Sequence, residues 1–225
     1  LTLVDVYGVI IGEPLDQDQR LAMLSIVAAL RGELSRPAAI EFFRLHGLAP
    51  SFRAANDLWQ RLLTVEARRM EHLWPKRRRK LLACHPRYAR LTEILGREWR
   101  IAMGLDGQPL LSLEQAENLD WRRPPCEIRK LSAPEAERLW LASFRLTCHR
   151  IHHPRVLAWL SADEGEEILL VERLEDPVVA EGARRQELLD YLALAGIQIP
   201  DSLGSVVISR DRVCLRDAAS AEFAD

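Results

Sequence analysis

The amino-acid sequence predicts an α+β protein with a helical N-terminal half and a ferredoxin-like βαββαβ-type C-terminal half that carries an extra strand. Three observations predict this class. Apolar residues recur at three- and four-residue spacing through much of residues 16–103, as on one face of a helix. From residue 126 the patterns follow the order strand, helix, two strands, helix, two strands. The hydrophobic fraction of 48% is that of a globular chain.

The first region, residues 1–105, is predicted to be mainly helical with one N-terminal strand. Residues 1–11 form an apolar run rich in Val and Ile, which is typical of a buried strand. Pro75 is well placed as the first residue of a new helix at the start of a basic segment. The other helices of this region are predicted at residues 16–34, 37–46, 52–74 and 87–103.

Residues 106–125 show little periodicity and are predicted to be a linker to an α+β region at residues 126–217, while residues 218–225 are predicted to be a frayed tail. Ser132 and Glu135 have the spacing of a capping box at the start of a helix. The predicted elements are a strand at 126–131, a helix at 132–151, a hairpin of 155–162 and 166–174, a helix at 177–195, and a hairpin of 205–209 and 212–215.

Charge is distributed unevenly along the chain. Residues 68–100 contain eleven Arg or Lys against three Glu, with five consecutive cations at 76–80, whereas residues 161–190 have a net charge of −7. Five consecutive cations cannot share one helix face, because successive residues are about 100° apart. At the N-terminus of a helix that begins at Pro75, they also oppose the macrodipole. A fold gains nothing from this arrangement, so we expect an anionic partner.

The leading functional prediction is therefore a nucleic-acid-binding accessory or regulatory protein that contacts the phosphate backbone of DNA or RNA. Trp74 and Tyr88 could stack bases, although packing in the core is the favoured interpretation. The predicted binding residues are Arg68, Arg69, Lys76, Arg77, Arg78, Arg79, Lys80, Arg87 and Arg90.

Two alternatives remain open for the basic segment. It could be a solvated connector between two helices, or it could meet an acidic protein surface in a protein-interaction or scaffold module, including a homo-oligomer whose basic and acidic halves dock onto each other. If the acidic segment around Glu164, Glu166 and Glu167 lay against the five cations, the binding prediction would fail.

Residues 4–10, Val-Asp-Val-Tyr-Gly-Val-Ile, resemble the first motif of the haloacid dehalogenase superfamily. The resemblance implies that Asp5 is the nucleophile at the end of a strand, and that the helices between Asp16 and Met103 imitate a cap insertion. The later motifs of that family, including Gly-Asp-x-x-x-Asp, are absent. A degenerate phosphatase is therefore a further alternative, and the sequence leaves enzymatic activity uncertain, with the balance against it.

Cys148, His149, His152 and His153 form a cluster in which residues four apart share a helix face, as metal ligands do. A helix end, where cationic His suits the negative pole of the dipole, is the favoured interpretation, so we predict no metal and no cofactor. The four cysteines are far apart without a Cys-x-x-Cys pair, which favours a reduced, cytoplasmic setting. No uninterrupted apolar run is long enough to predict a membrane partner.

Overall fold

The structure is a computed structural model that describes Leu24 and residues 35–122, 124–161, 166–200 and 204–223. Within these ranges helices dominate the first part of the chain and antiparallel strands the second, so the predicted α+β class is confirmed. The strand predicted at residues 1–11 lies outside the described residues, as does the helix predicted at 16–34 except for Leu24. No helix within the described ranges has both the length and the apolar character needed to cross a membrane.

Two helices form the first part of the described chain. Helix α1 (Arg36–Leu45) begins after Ser35, whose hydroxyl accepts a hydrogen bond from a backbone N–H of the first turn. Helix α2 (Phe52–Leu82) begins after Ser51 in the same way and runs for 31 residues. Both N-caps satisfy a backbone donor that the helix itself leaves unpaired.

Pro75 lies inside α2, so the prediction that one helix ends at residue 74 and another begins at Pro75 is wrong. A proline within a helix removes one backbone hydrogen bond. The buried face of α2 nevertheless continues on both sides of it, through Met70 and Leu81. Packing of this face compensates for the missing bond, and the five cations at 76–80 belong to the C-terminal end of a long helix.

Residues 87–103, predicted to be helical, instead form a hairpin of β1 (Ala89–Ile94) and β2 (Arg97–Ala102), so that prediction is wrong. Leu95 and Gly96 make the two-residue turn with φ values of 52° and 74°. Positive φ at both positions is typical of a type I′ turn, whose twist matches that of the paired strands. Trp99 and Ile101 are both buried, which is the period of two that is typical of a strand and not of a helix.

The hairpin belongs to a five-stranded antiparallel sheet. The other strands are β3 (Glu127–Ser132), β4 (Val156–Ser161) and β5 (Glu166–Val171), and the order in the sheet is β1-β2-β4-β5-β3. Helix α4 (Ala133–Cys148) follows β3, and its predicted start is confirmed. The Glu135 carboxylate accepts hydrogen bonds from the backbone N–H and the hydroxyl of Ser132 at 3.1 and 2.6 Å. The hairpin predicted at residues 155–162 and 166–174 is also confirmed, since β4 pairs with β5; its turn at 162–165 lies outside the described residues.

Strands from both sides of residues 106–125 share this sheet, because β2 pairs with β4. The intervening segment contains the short helix α3 (Leu113–Glu117), and its apolar side chains pack with Ile168 and Leu170 on one face of the sheet. The opposite face, which includes Leu169 and Val171, packs against α2, α4 and the helix that follows β5. Alternate residues of β5 therefore serve two separate hydrophobic clusters.

The last part of the chain forms two small sheets. The hairpin predicted at residues 205–209 and 212–215 is confirmed. It pairs with the short strand Val178–Val179 in a separate three-stranded sheet and does not extend the large sheet. The segment expected to fray from residue 218 instead forms a 3₁₀ turn at Ala218–Ser220 and then a short strand, with Ala218 buried. The elements are β6 (Val178–Val179), α5 (Gly182–Leu194), β7 (Ile197–Gln198), β8 (Val206–Ser209), β9 (Arg212–Leu215) and β10 (Glu222–Phe223), which pairs with β7.

Candidate nucleic-acid interface

The outer side of α2 carries a row of four exposed cations, Arg61, Arg68, Lys76 and Arg79, which we call the basic face. At about 100° per residue, the three arginines project within about 20° of one direction, and Lys76 lies about 60° away. The row is about 27 Å long at 1.5 Å per residue. Among the described residues, none of the four forms an ion pair or a side-chain hydrogen bond.

The acids of the same stretch of α2 are turned away from the basic face. Between Arg61 and Leu82 the sequence contains only Glu66 and Glu71. Glu66 is buried at 5% exposure, and Glu71 bonds to side chains of α4. The charge of the basic face is therefore not neutralised by its own helix.

The nine residues predicted from the sequence are not equivalent in the structure. Arg68, Lys76 and Arg79 lie on the basic face, and Arg87 and Arg90 are exposed near the start of the hairpin that follows. The other four have more local roles: Arg69 pairs with Glu66 at 3.3 Å, Arg78 pairs with Glu137 at 3.9 Å, Arg77 contacts the sulfur of Met70 at 3.1 Å, and Lys80 is half-buried.

Sequence reasoning did not include Arg61 among the binding residues. It lies seven positions before Arg68, which places the two side chains on the same face of a continuous helix. The density of cations rises only from Arg68 onward, so Arg61 lies outside the basic segment of the sequence. The seven-residue spacing was the available signal.

The direction of α2 corrects one premise of the prediction. The five cations at 76–80 lie at the C-terminal end of a helix, where the macrodipole favours positive charge. Helix stability thus accounts for Arg79 and Lys80, which occupy the last turn. The dipole effect falls off within one turn, so it does not account for Arg61, Arg68 or Lys76.

The acidic segment does not lie against the basic face where the structure describes it. Glu166 pairs with Lys130 at 3.8 Å, and Glu167 accepts a hydrogen bond from the indole of Trp159 at 2.6 Å. Farther along, Glu172 pairs with Arg155. Glu164 lies outside the described residues. These acids are engaged by the sheet and its loops, so they leave the basic face open.

The aromatic residues within the basic segment are packing residues. The ring centroid of Trp74 lies 6.4 Å from that of Phe144. The ring centroid of Tyr88 lies 5.4 Å from that of the same phenylalanine, in an edge-on arrangement. Both rings are partly buried against the main hydrophobic cluster. This favours packing over base stacking for both.

Beneath the basic face, Glu71 anchors α2 to α4. Its carboxylate accepts hydrogen bonds from Nε of Arg145 at 3.2 Å, from Nη2 of the same residue, and from Nε2 of His149 at 2.7 Å. The other ring nitrogen of His149, Nδ1, forms a hydrogen bond of 3.1 Å with the hydroxyl of Tyr191 on α5. Burial raises the pKa of Glu71, but the bonds from His149 and Arg145 outweigh it and leave the pKa below its ordinary value.

His149 and His153, near the end of α4, have structural roles in this arrangement. Nδ1 of His153 donates to the carbonyl of Ile151 at 2.7 Å, and Nε2 accepts from the hydroxyl of Ser143 at 3.1 Å. That hydroxyl accepts in turn from the N–H of Val156. Burial of the ring lowers the pKa of His153 to about 4, although the bond to Ile151 and the nearby Glu172 act in the opposite direction, so the imidazole is neutral at neutral pH.

Within the predicted cluster of Cys148, His149, His152 and His153, the imidazoles of His149 and His153 thus take part in separate sets of hydrogen bonds. Across the described ranges, no group of three or more His, Cys, Asp or Glu side chains is placed to hold a metal ion. Burial raises the pKa of Cys148, with the nearby Arg77 opposing it, and burial also raises the pKa of the three other thiols. All four thiols are free and protonated at neutral pH.

Asp5 lies outside the described residues, so its suggested role as a nucleophile stays a prediction. Comparisons with protein-family models, curated proteins and solved structures each find no match for this chain. The geometry and the charge of the chain itself are therefore the basis for a proposed function.

Proposed function

We propose that this chain binds the phosphate backbone of a nucleic acid through the basic face of α2, as an accessory or regulatory component. The observation that supports it most is a row of exposed cations about 27 Å long on one side of α2. These cations form no ion pair with any residue that the structure describes, and the acids of the same stretch point away from them. Arg87 and Arg90 would extend the contact beyond the end of the helix.

Helix stability accounts for Arg79 in the last turn, but it does not account for the rest of the row. Lys76 and Arg79 are three residues apart on the same side, and like charges at this spacing cost a few tenths of a kcal/mol. A row of arginines and lysines along one face suits a polyanion, whose phosphates lie in a row of their own. Such contacts are salt-dependent and weakly sequence-selective, since they do not reach base edges.

The proposal includes a reducing, cytoplasmic setting, with which four free thiols are in keeping. An acidic protein surface, including the acidic segment of a second copy of the chain, is the alternative partner for the basic face. Salt-reversible self-association, measured by light scattering without any nucleic acid, would favour that alternative.

The test compares wild type with a variant in which Arg61, Arg68, Lys76 and Arg79 are replaced by Gln, which keeps a good helix propensity. Binding to a labelled mixed-sequence oligonucleotide is followed by fluorescence anisotropy. If all four cations contact phosphates, counterion release predicts a loss in affinity on the order of 100-fold at physiological salt.

A matched control removes four exposed cations elsewhere on the surface, Arg53, Lys130, Arg138 and Arg216. Its net charge equals that of the first variant, so a general effect of charge lowers the affinity of both variants equally. A selective loss in the first variant supports the basic face as the site. Unchanged affinity in that variant contradicts the proposal.

A further inference from the structure

A second concentration of arginines lines a cleft of about 280 Å³, which involves a different side of α2 from the basic face. The cleft lies where the start of α1, the side of α2, the residues after α4, helix α5 and the β8–β9 turn meet. Its four arginines are Arg36, Arg150, Arg184 and Arg212, one from each of four separate segments. Side chains from distant parts of the sequence are thus brought together around one concave space.

Three of these arginines are available to a ligand. Arg150, Arg184 and Arg212 are exposed, and no carboxylate of the described residues pairs with them. The fourth, Arg36, is held in place by Asn56, whose Oδ1 accepts from Nε at 3.1 Å and from Nη2 at 2.6 Å. A guanidinium has five N–H donors, so Arg36 keeps three for a ligand.

The cleft also carries three acids, Glu187, Asp190 and Asp211, above a floor that includes buried Leu63 and Ile151. A lining that contains both positive and negative side chains suits a molecule that presents an anionic group to the arginines and hydrogen-bond donors to the carboxylates. The volume is near the lower end of small-molecule sites. A nucleic-acid strand does not fit such a space, which separates this cleft from the basic face.

Arg150 stands in a backbone conformation that favours glycine. It follows the end of α4 with φ of 54°. Its N–H bonds to Thr147 O at 2.9 Å, and the next N–H bonds to Leu146 O at 3.0 Å, which is the Schellman pattern that glycine normally completes. An arginine at this position sacrifices stability, as functional residues often do.

We propose that this cleft binds a small phosphorylated organic molecule, such as a sugar phosphate or a mononucleotide, with its phosphate held by Arg36, Arg150, Arg184 and Arg212. Arginine suits this task because its planar donors match phosphate oxygens. Hydroxyl or amino groups of the same ligand donate to the acids of the cleft. The site is independent of nucleic-acid binding at the basic face.

The test uses isothermal titration calorimetry of the full chain with ribose 5-phosphate, adenosine 5′-monophosphate and inorganic phosphate. Arg150→Gly relieves the left-handed backbone, so its melting temperature is expected to be no lower than that of wild type. Its affinity for the phosphorylated organic probes is expected to fall about tenfold or more, as for a lost charge-assisted hydrogen bond. Arg184→Gln, which leaves the backbone of α5 unchanged, gives the same loss.

Arg210→Gly is the matched control. Arg210 also has a left-handed backbone, with φ of 48°, but it does not line this cleft. Its replacement should leave the affinity unchanged, and so should the fourfold Gln variant of the basic face. The proposal is overturned if none of the three probes binds saturably at millimolar concentration, or if Arg150→Gly and Arg184→Gln bind as wild type does. Binding of inorganic phosphate as tight as that of ribose 5-phosphate overturns the assignment of an organic ligand.

Discussion

In a Glu71→Ala variant, the guanidinium of Arg145 loses the carboxylate that accepts two of its hydrogen bonds, yet it keeps its charge because arginine does not deprotonate in proteins. Arg145 is enclosed by the rings of Trp74 and Phe223, whose centroids lie 5.2 and 4.2 Å from the guanidinium carbon. His149 loses a partner at the same time. The variant thus leaves a buried cation between α2 and α4 without its counterion.

The magnitude follows from the burial of the two partners. Removal of one member of a buried ion pair costs about 3–5 kcal/mol. The Arg145 side chain is 10% exposed but that of Glu71 is 31% exposed, so water reaches one side of the pair. This lowers the expected loss in the free energy of unfolding to about 2–4 kcal/mol.

Urea unfolding followed by far-ultraviolet circular dichroism measures this loss, and Glu137→Ala is the matched control. Glu137 is also a helical glutamate paired with an arginine, but at 3.9 Å and with both side chains about half exposed. Its removal should cost less than about 0.5 kcal/mol. Equal losses in the two variants would refute the view that Glu71 fastens α2 to α4.

The same bonds predict an acid dependence. The pKa of Glu71 is lowered in the fold, so its contribution is fully present above its ordinary pKa of 4.5 and is lost as the pH falls through the lower folded value. In Glu71→Gln this part of the acid dependence should disappear. An identical acid profile in wild type and variant would contradict the assignment.

Two further predictions concern His153 and the β1–β2 turn. Because the pKa of His153 is about 4 in the fold and 6.5 ordinarily, the unfolded chain gains a proton first, and the free energy of unfolding should fall by about 3 kcal/mol between pH 6.5 and 4. Urea titrations across this window check it, and an equally steep fall in His153→Gln would contradict it. Leu95 is 79% exposed with φ of 52°, so Leu95→Asn should stabilise the fold by about 0.5–1 kcal/mol. A lower melting temperature for that variant would argue against the left-handed turn.

Local chemistry predicted several elements correctly. Ser132 with Glu135 marked the start of α4, and β-rich runs on either side of a short gap marked the β4–β5 hairpin. The helix predicted at 177–195 begins later than expected, at Gly182, but it ends near the predicted residue, at Leu194, and Gly196 follows with φ of 66°. In each case residues close in sequence decide the structure, so no knowledge of tertiary packing was needed.

The errors arose where tertiary packing outweighs local propensity. Pro75 is a strong signal for a helix start, but the apolar face of α2 continues past it to Leu81. The β1–β2 hairpin has Leu95 at a turn position where Asn or Gly is usual, so the sequence contains only a weak signal for this turn. Pairing of β2 with β4 supplies the stabilisation that the turn residue lacks.

The two candidate sites differ in how far a sequence can predict them. The basic face is local to one helix, and most of its cations stood out as a dense run of charge. The arginine cleft combines Arg36 with Arg150, Arg184 and Arg212, which are more than a hundred residues away in the chain. Only the folded arrangement brings them together.

The salt dependence of oligonucleotide binding tests the central claim most directly. If the four cations of the basic face replace condensed counterions, the logarithm of the wild-type binding constant should fall linearly with the logarithm of salt concentration, with a slope of about −3 or steeper. Replacement of Arg61, Arg68, Lys76 and Arg79 by Gln should flatten that slope by about 3. A wild-type slope near zero, or the same slope in both proteins, would show that the basic face does not bind nucleic acid.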